Sequence, residues 1–225
     1  MSLILNIDTS SEHAHVSFAK DGVILETLSN DKQKEHASFL QPAIRQLVTI
    51  TGIQLQEVDA VAVTSGPGSY TGLRVGLASA KGLCYALKKP FITIGSLEVL
   101  TASALLQYEV ADKTVLFCPM MDARRMEVFT AIYQNDLTVF SPPSALILDE
   151  SSYEKELANN KIIFFGSGSS KWQSICNHPN ASFKQVTILP ESMSKLGFTL
   201  FSKNIFTGLA YSEPLYLKEF QTFIP

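Results

Sequence analysis

The chain has 225 residues, 46% of them hydrophobic and 17% charged, with a formal net charge of −3. This balance excludes a mostly disordered chain and, being acidic, excludes an autonomous tight nucleic-acid binder; the length suits one large domain or two small lobes. Cys84, Cys118 and Cys176 are widely spaced with no C-x-x-C pair, so neither a disulfide framework nor a thiolate metal site is suggested, and a reducing cytoplasm is the expected setting.

Residues 3–7 read as a short apolar strand that stops at Asp8-Thr9-Ser10, with no basic leader, and no apolar run approaches a membrane span. Residues 14–19 alternate as a second strand, and Asp21-Gly22 turns it into a third over residues 23–28. A carboxylate at a strand end could hold Mg²⁺ through water, as nucleotide sites often do; equally, Asp8, Thr9 and Ser10 could make local turn hydrogen bonds. His13 and His15 would share one strand face, but no third ligand is near in sequence, so they read as exposed hairpin histidines without a function.

After a polar link, residues 35–51 carry His36, Phe39, Leu40, Ile44, Leu47 and Val48 at helical spacing, with Gly52 as the stop. Pro42 inside the pattern predicts a kink or a late start. The apolar set is wider than one narrow stripe. One face can cover a sheet while another is left for a neighbour, unless the helix is covered all round.

A buried-looking strand over residues 58–64 then runs into SGPGSYTGLRVG, residues 65–76, and a helix follows over residues 70–87. Strand, glycine turn and helix start together present backbone N–H groups at a positive macrodipole end, which makes an anion or phosphate site the physical default. The spacing speaks against two familiar versions. Gly66, Gly68 and Gly72 fall as G-x-G-x-x-x-G, one residue off the dinucleotide fingerprint, and no Lys-Ser or Lys-Thr pair follows Gly72 as a P-loop requires. The other reading is that Gly66 and Gly68 permit a tight turn while Gly72 and Gly76 let another backbone come close. Along the helix Leu73, Leu77, Ala80 and Cys84 make one row, and Gly72, Gly76, Ala80 and Lys81 with Ser79 make a flatter one suited to close helix contact. Two helices with spare surface suggest a dimer.

A strand over residues 91–94 and a helix over residues 97–108 follow. Strands over residues 115–120 and 126–133 then flank a junction holding Asp122 and Arg124, which read as a surface or inter-lobe ion pair. This repeats the N-terminal plan. Pro142-Pro143 marks a loop, residues 151–157 a short helix and residues 161–165 a strand; the glycine-serine turn over residues 166–170 could cradle an anion or be an ordinary turn. Residues 193–207 complete the helices, and residues 214–217 form a last extended piece.

Asp8-Thr9-Ser10, the stretch HASFLQPAI beginning at His36, the GPGSYTGLRVG turn, Asp122-Ala-Arg with Glu127-Val-Phe, and Glu213-Pro-Leu-Tyr-Leu-Lys together resemble the TsaB (YeaZ) family, in order, over nearly the whole chain. The resemblance implies an α/β fold of the actin-like, Hsp70-like kind in two related lobes, residues 1–100 and a reduced 101–225, with the final helix and tail packing back on the first. It implies a part in making the threonylcarbamoyladenosine (t6A) of tRNA, where TsaD is the catalytic paralogue and TsaE an ATPase. TsaD carries an H-x-x-x-H metal pair where this chain reads Ser96-Leu97-Glu98-Val99-Leu100, so neither imidazole is present and no metal or catalytic residue is expected.

The expected role is a scaffold that pairs its two helices with those of TsaD, with TsaE in a ternary complex. It pairs with a second copy when alone, and touches tRNA only through partners. Leu40, Ile44, Leu73, Gly76, Ala80 and Lys81 are the contact candidates. Asp8, Thr9, Gly66 and Gly68 are the nucleotide candidates, with ATP and Mg²⁺ reserved for a partner or an interface and no cofactor of its own. The competing expectation is an autonomous ATP-dependent phosphotransferase or a metallopeptidase of the same fold.

Overall fold

Two five-stranded sheets carry the fold, and both are built to one plan. The computed structural model describes residues 1–32 and 35–218. In the first sheet, β1 (Leu3–Asp8), β2 (Ala14–Lys20) and β3 (Val23–Asn30) form an antiparallel meander. β4 (Ala60–Gly66) joins the free side of β1 in parallel and β5 (Phe91–Gly95) adds to β4, giving the order β3-β2-β1-β4-β5. In the second, β6 (Leu116–Asp122), β7 (Glu127–Tyr133) and β8 (Val139–Ile147) repeat the meander. β9 (Ile162–Phe165) and β10 (Ala181–Lys184) repeat the parallel additions, giving β10-β9-β6-β7-β8. The internal repetition expected from the sequence is thus a repetition of topology.

The chain divides into two compact units, Met1–Val99 with Ile188–Pro214, and Leu100–Thr187 with Leu215–Pro225. In the first, helices α1 (His36–Thr51) and α2 (Tyr70–Leu87) lie on one sheet face, where Leu5, Ile7, Val16, Phe18, Val61 and Val63 meet Leu40, Ile44, Leu47, Leu77 and Ala80 in one core. Alternation along β1 sends Asn6 and Asp8 to the opposite face. Helix α6 (Pro190–Ser202) covers that side, and it comes close because residue 197 is glycine: a Cβ there would sit 3.1 Å from Asn6 Oδ1 and 3.4 Å from Ala62. Pro42 lies within α1 and the helix still begins at His36, so the start is not delayed; Gly52 ends it in the left-handed region, with φ of 72°.

After α6 the chain crosses back over the first sheet. Thr207 N–H donates to Phe91 O, its hydroxyl pairs with that of Thr93 at 2.8 Å, Leu209 joins the core, and Lys81 Nζ donates to Ser212 O at 2.9 Å and to Ala210 O at 3.4 Å. This strap covers the edge of β5, which would otherwise present unpaired backbone groups.

In the second unit, Leu116, Cys118, Met120, Val128, Ile132 and Phe164 pack with Tyr153, Leu157 and Trp172 from the segments of α4 (Glu154–Asn159) and α5 (Ser169–Gln173). Helix α3 (Ser96–Gln107) contributes to it from Leu100 onward. Burial pushes the Cys118 thiol up to about 12 and the Cys84 thiol to about 11, so both behave as apolar core groups. Three expectations are corrected. Pro142 and Pro143 lie inside β8, which tolerates them because it is an edge strand with N–H positions outside the ladder. Helix α6 begins and ends earlier than residues 193–207, with Pro190 at its start. Residues 214–217 form no strand.

Replacing Lys81 with Met removes two charge-assisted bonds to the strap. The expected loss is about 1 kcal/mol in urea unfolding, with faster hydrogen exchange confined to residues 207–214.

Candidate functional site

The glycine turn is filled by the chain's own backbone. Ser69 N–H donates to Ser10 O at 2.7 Å, Thr9 Oγ1 donates to Gly72 O at 2.7 Å, and Ser69 Oγ caps α2 by accepting from Gly72 N–H. A Cβ at position 68 would lie 2.1 Å from Ser10 O, at position 72 2.0 Å from Thr9 O, and at position 76 2.4 Å from Thr9 Oγ1. Gly68 also holds φ of 155° and Gly66 114°, where side chains are strained. So the three glycines at 68, 72 and 76 let the turn after β1 clasp the start of α2.

This bears on the nucleotide candidates Asp8, Thr9, Gly66 and Gly68. A phosphate cradle needs outward N–H groups and room for oxygens, whereas the Thr9 hydroxyl is engaged with Gly72, Gly68 lies against Ser10 O and the Ser69 N–H is taken by Ser10 O; Gly66 precedes them in the left-handed region. Asp8 is fully buried: Oδ1 accepts from Ser10 N–H, Ser10 Oγ and Thr64 Oγ1 at 2.7–2.9 Å, and Oδ2 bonds to no described residue. Of the two readings of Asp8-Thr9-Ser10, local turn bonding is the observed one.

His15 stands directly across the β1–β2 ladder from Asp8, and, contrary to expectation, it is buried. Burial lowers its pKa from 6.5, and the nearby charges of Asp8 and Glu191 oppose this without overcoming it. His13 is exposed and pairs with Asp31 at 3.0 Å, and His36 is buried with Nε2 at 3.1 Å from Glu12 O. His178 accepts from Asn180 N–H. Among the described residues no three His, Cys, Asp or Glu side chains gather into a metal site.

The second unit repeats the clasp. Gly168 N–H donates to Met120 O, Asp122 N–H donates to Ser167 Oγ, and a Cβ at Gly166 would lie 2.5 Å from Met120 O. The turn over residues 166–170 therefore holds the end of β6. Asp122 bonds Arg124 only through its backbone N–H; its ion pair is with Lys171 at 2.9 Å. Burial alone would raise the Asp122 carboxyl, but those two partners outweigh it and hold it below the usual carboxylate range.

The contact candidates are corrected as well. Leu40, Ile44, Leu73, Gly76 and Ala80 are buried in the first unit, and Lys81 is committed to the strap. Leu73, Gly76 and Ala80 point inward because α2 packs the row 72, 73, 76, 77, 80 and 84 against its sheet, and Leu40 and Ile44 because α1 buries the row 36, 40, 43, 44 and 47. The solvent row is Thr71, Arg74, Ala78, Gly82, Tyr85 and Ala86, and beside it α1 exposes Gln41, Pro42, Arg45, Gln46, Thr49 and Ile50. Gln41 Nε2 donates to Ser79 Oγ at 3.0 Å and ties the two helices together. The signal for this row was available in the phase of the apolar residues along α2, set by Leu73, Leu77 and Cys84.

A family model described as TsaD, tRNA N6-adenosine threonylcarbamoyltransferase, matches residues 6–193. The chain is 25% identical to the Escherichia coli tRNA threonylcarbamoyladenosine biosynthesis protein TsaB, over 96% of this chain and 94% of that one. It is 29% identical to the TsaB of Buchnera aphidicola from Schizaphis graminum, over 90% and 94%. The transferase of Zymomonas mobilis is 31% identical, but over only 36% of its own length. The chain belongs to the TsaD family, in its TsaB (YeaZ) branch. Two Pseudomonas aeruginosa structures share the fold: YeaZ, with TM-score 0.76 and 25% identity over 96% of this chain and all of that one, and a protein described as similar to the peptidase YeaZ, with TM-score 0.83 and 24% identity over 97% and 100%. No helix among the described residues is long and apolar enough to cross a membrane.

Two predictions follow from the clasp and its neighbour. Gly72→Ala drives a methyl into the Thr9 carbonyl and should cost about 3 kcal/mol or more in urea unfolding. Because His15 is harder to protonate folded than unfolded, stability should be full above about pH 6.5 and fall as pH drops below it. His15→Gln should flatten that part of a Tm-versus-pH curve.

Proposed function

We propose that this TsaB-branch chain is a non-catalytic partner subunit in t6A synthesis on tRNA, docking a TsaD-type transferase through the exposed sides of α1 and α2, with TsaE joining the complex. It works in the cytoplasm, pairs with itself when the transferase is absent, and meets tRNA through its partners. The observation that carries this reading is the filled glycine turn: the element that would hold phosphate is spent on holding the turn after β1.

Two further features support it. By the resemblance, the stretch 96–100 stands where TsaD has its metal-binding histidines; here it opens α3, where burial, only partly offset by a bond from Gly95 N–H, raises the Glu98 pKa. And the chain spans TsaB proteins nearly end to end while covering about a third of the Zymomonas transferase.

The test is a reconstituted modification reaction with tRNA, ATP, threonylcarbamoyl-adenylate and the TsaD-type transferase and TsaE of the same cell. The chain should restore turnover when added to those subunits and produce no modified tRNA without the transferase. Turnover by the chain with ATP and tRNA alone, or full activity in its absence, would overturn the proposal.

A further inference from the structure

We infer that the first unit binds a water molecule in its interior, between Asp8 and His15, bonded to the carboxylate Oδ2 and the imidazole Nε2. The two faces of the first sheet differ sharply. Leu5, Ile7, Val16, Phe18, Val61 and Val63, on the side of α1 and α2, are all apolar; alternation puts Asn6, Asp8, His15, Ser17 and Thr64 on the side of α6, and every one of them is buried. Helix α6 meets them with Ser192, Ser194 and Gly197 among its buried residues. Polar groups packed in this way need partners, because one left unpaired carries the full cost of losing its hydration.

Most of them find partners within the chain. Asn6 Nδ2 donates to Ser17 Oγ at 3.4 Å, Ser194 Oγ donates to Gly22 O at 2.8 Å, and Asp8 Oδ1 takes its three bonds from Ser10 and Thr64. Asn6 Oδ1, Asp8 Oδ2 and His15 Nε2 have none among the described residues. Asn6 Oδ1 is closed off by the backbone of α6, since a Cβ at Gly197 would sit 3.1 Å from it. The remaining two atoms belong to residues directly opposite each other on β1 and β2.

The spacing of that pair selects a water. Opposed residues on neighbouring strands start from Cβ atoms roughly 5 Å apart on one face, and the imidazole feels the Asp8 charge, yet no hydrogen bond joins the two side chains. One bridging water spans about 5.5 Å, the length of two hydrogen bonds. It donates one proton to Asp8 Oδ2 and, according to the imidazole tautomer, accepts from or donates to Nε2, which gives it the two partners that a buried water requires. A divalent metal requires more: this face offers one carboxylate and one imidazole, Glu191, the other acid acting on His15, is exposed, and no three such side chains gather among the described residues. The water also bears on the clasp. Asp8 fixes Ser10 through Oδ1, and Ser10 O takes the Ser69 N–H at the start of α2, so a bond to Oδ2 orients the carboxylate from its other side.

An atomic-resolution crystal structure of the full chain tests this directly. It should show one water-sized peak within hydrogen-bond distance of both Asp8 Oδ2 and His15 Nε2, without anomalous signal, and elemental analysis of the pure protein should find no stoichiometric metal. The two side chains in direct contact, or a metal ion at the peak, overturns the inference. Thermal unfolding at mildly alkaline pH gives a second reading. His15→Gln keeps a polar group facing the water and should lower the Tm by roughly 2 °C, whereas His15→Leu removes one of its two partners and should lower it by roughly 6 °C or more. Equal losses in the two variants overturn the site; the crystallographic reading is made on the wild-type chain and depends on neither variant folding.

Discussion

The close approach of Thr9 and Ser10 to the first two turns of α2 is the contact on which the first unit depends. It demands glycine at three positions, uses the N–H of Ser69 and the carbonyl of Gly72, and fixes the junction between β1 and β2 against the helix that covers their sheet. Once those groups are satisfied inside the chain, they are withdrawn from ligands. A strand-glycine-helix junction is a phosphate site only while its donors face outward; here the same geometry has become a packing device.

The device is used twice. In each unit a meander of three strands is extended by two parallel strands, and in each a glycine turn after the first parallel strand closes on the end of the first meander strand. Burial then does the rest of the chemistry. Asp8 and His15 face one another on a covered sheet face, Cys84 and Cys118 are held as thiols, and no described cluster is arranged for metal. What the molecule leaves outside is a pair of tied helices whose solvent side lacks acidic residues.

Much of this was legible in the residues. The short apolar runs ending at Asp8 and Asp122, the Asp21-Gly22 hairpin and the glycine-turn helix placed the meanders, and the repeated order revealed the duplication. Helix phase was harder. Small residues such as Gly72, Gly76 and Ala80 look suited to an external contact, but small residues also permit internal close approach, and only the position of Thr9 tells which applies. The spacing of His13 and His15 misleads because i, i+2 residues share a face only within one regular strand, and β2 begins at Ala14, leaving His13 in the turn. Pro142 and Pro143 suggested a loop because proline breaks central strands; an edge strand obeys a weaker rule.

The central claim is that this chain acts by being docked, with its glycine turn closed to nucleotide. Hydrogen-exchange mass spectrometry on the full chain, alone, with ATP and Mg²⁺, and with the TsaD-type transferase, tests it most directly. The account predicts new protection across the α1 and α2 segments with the transferase, and no change over residues 66–72 with ATP and Mg²⁺. Protection of residues 66–72 by nucleotide in the isolated chain, with α1 and α2 unaffected by the transferase, would contradict it.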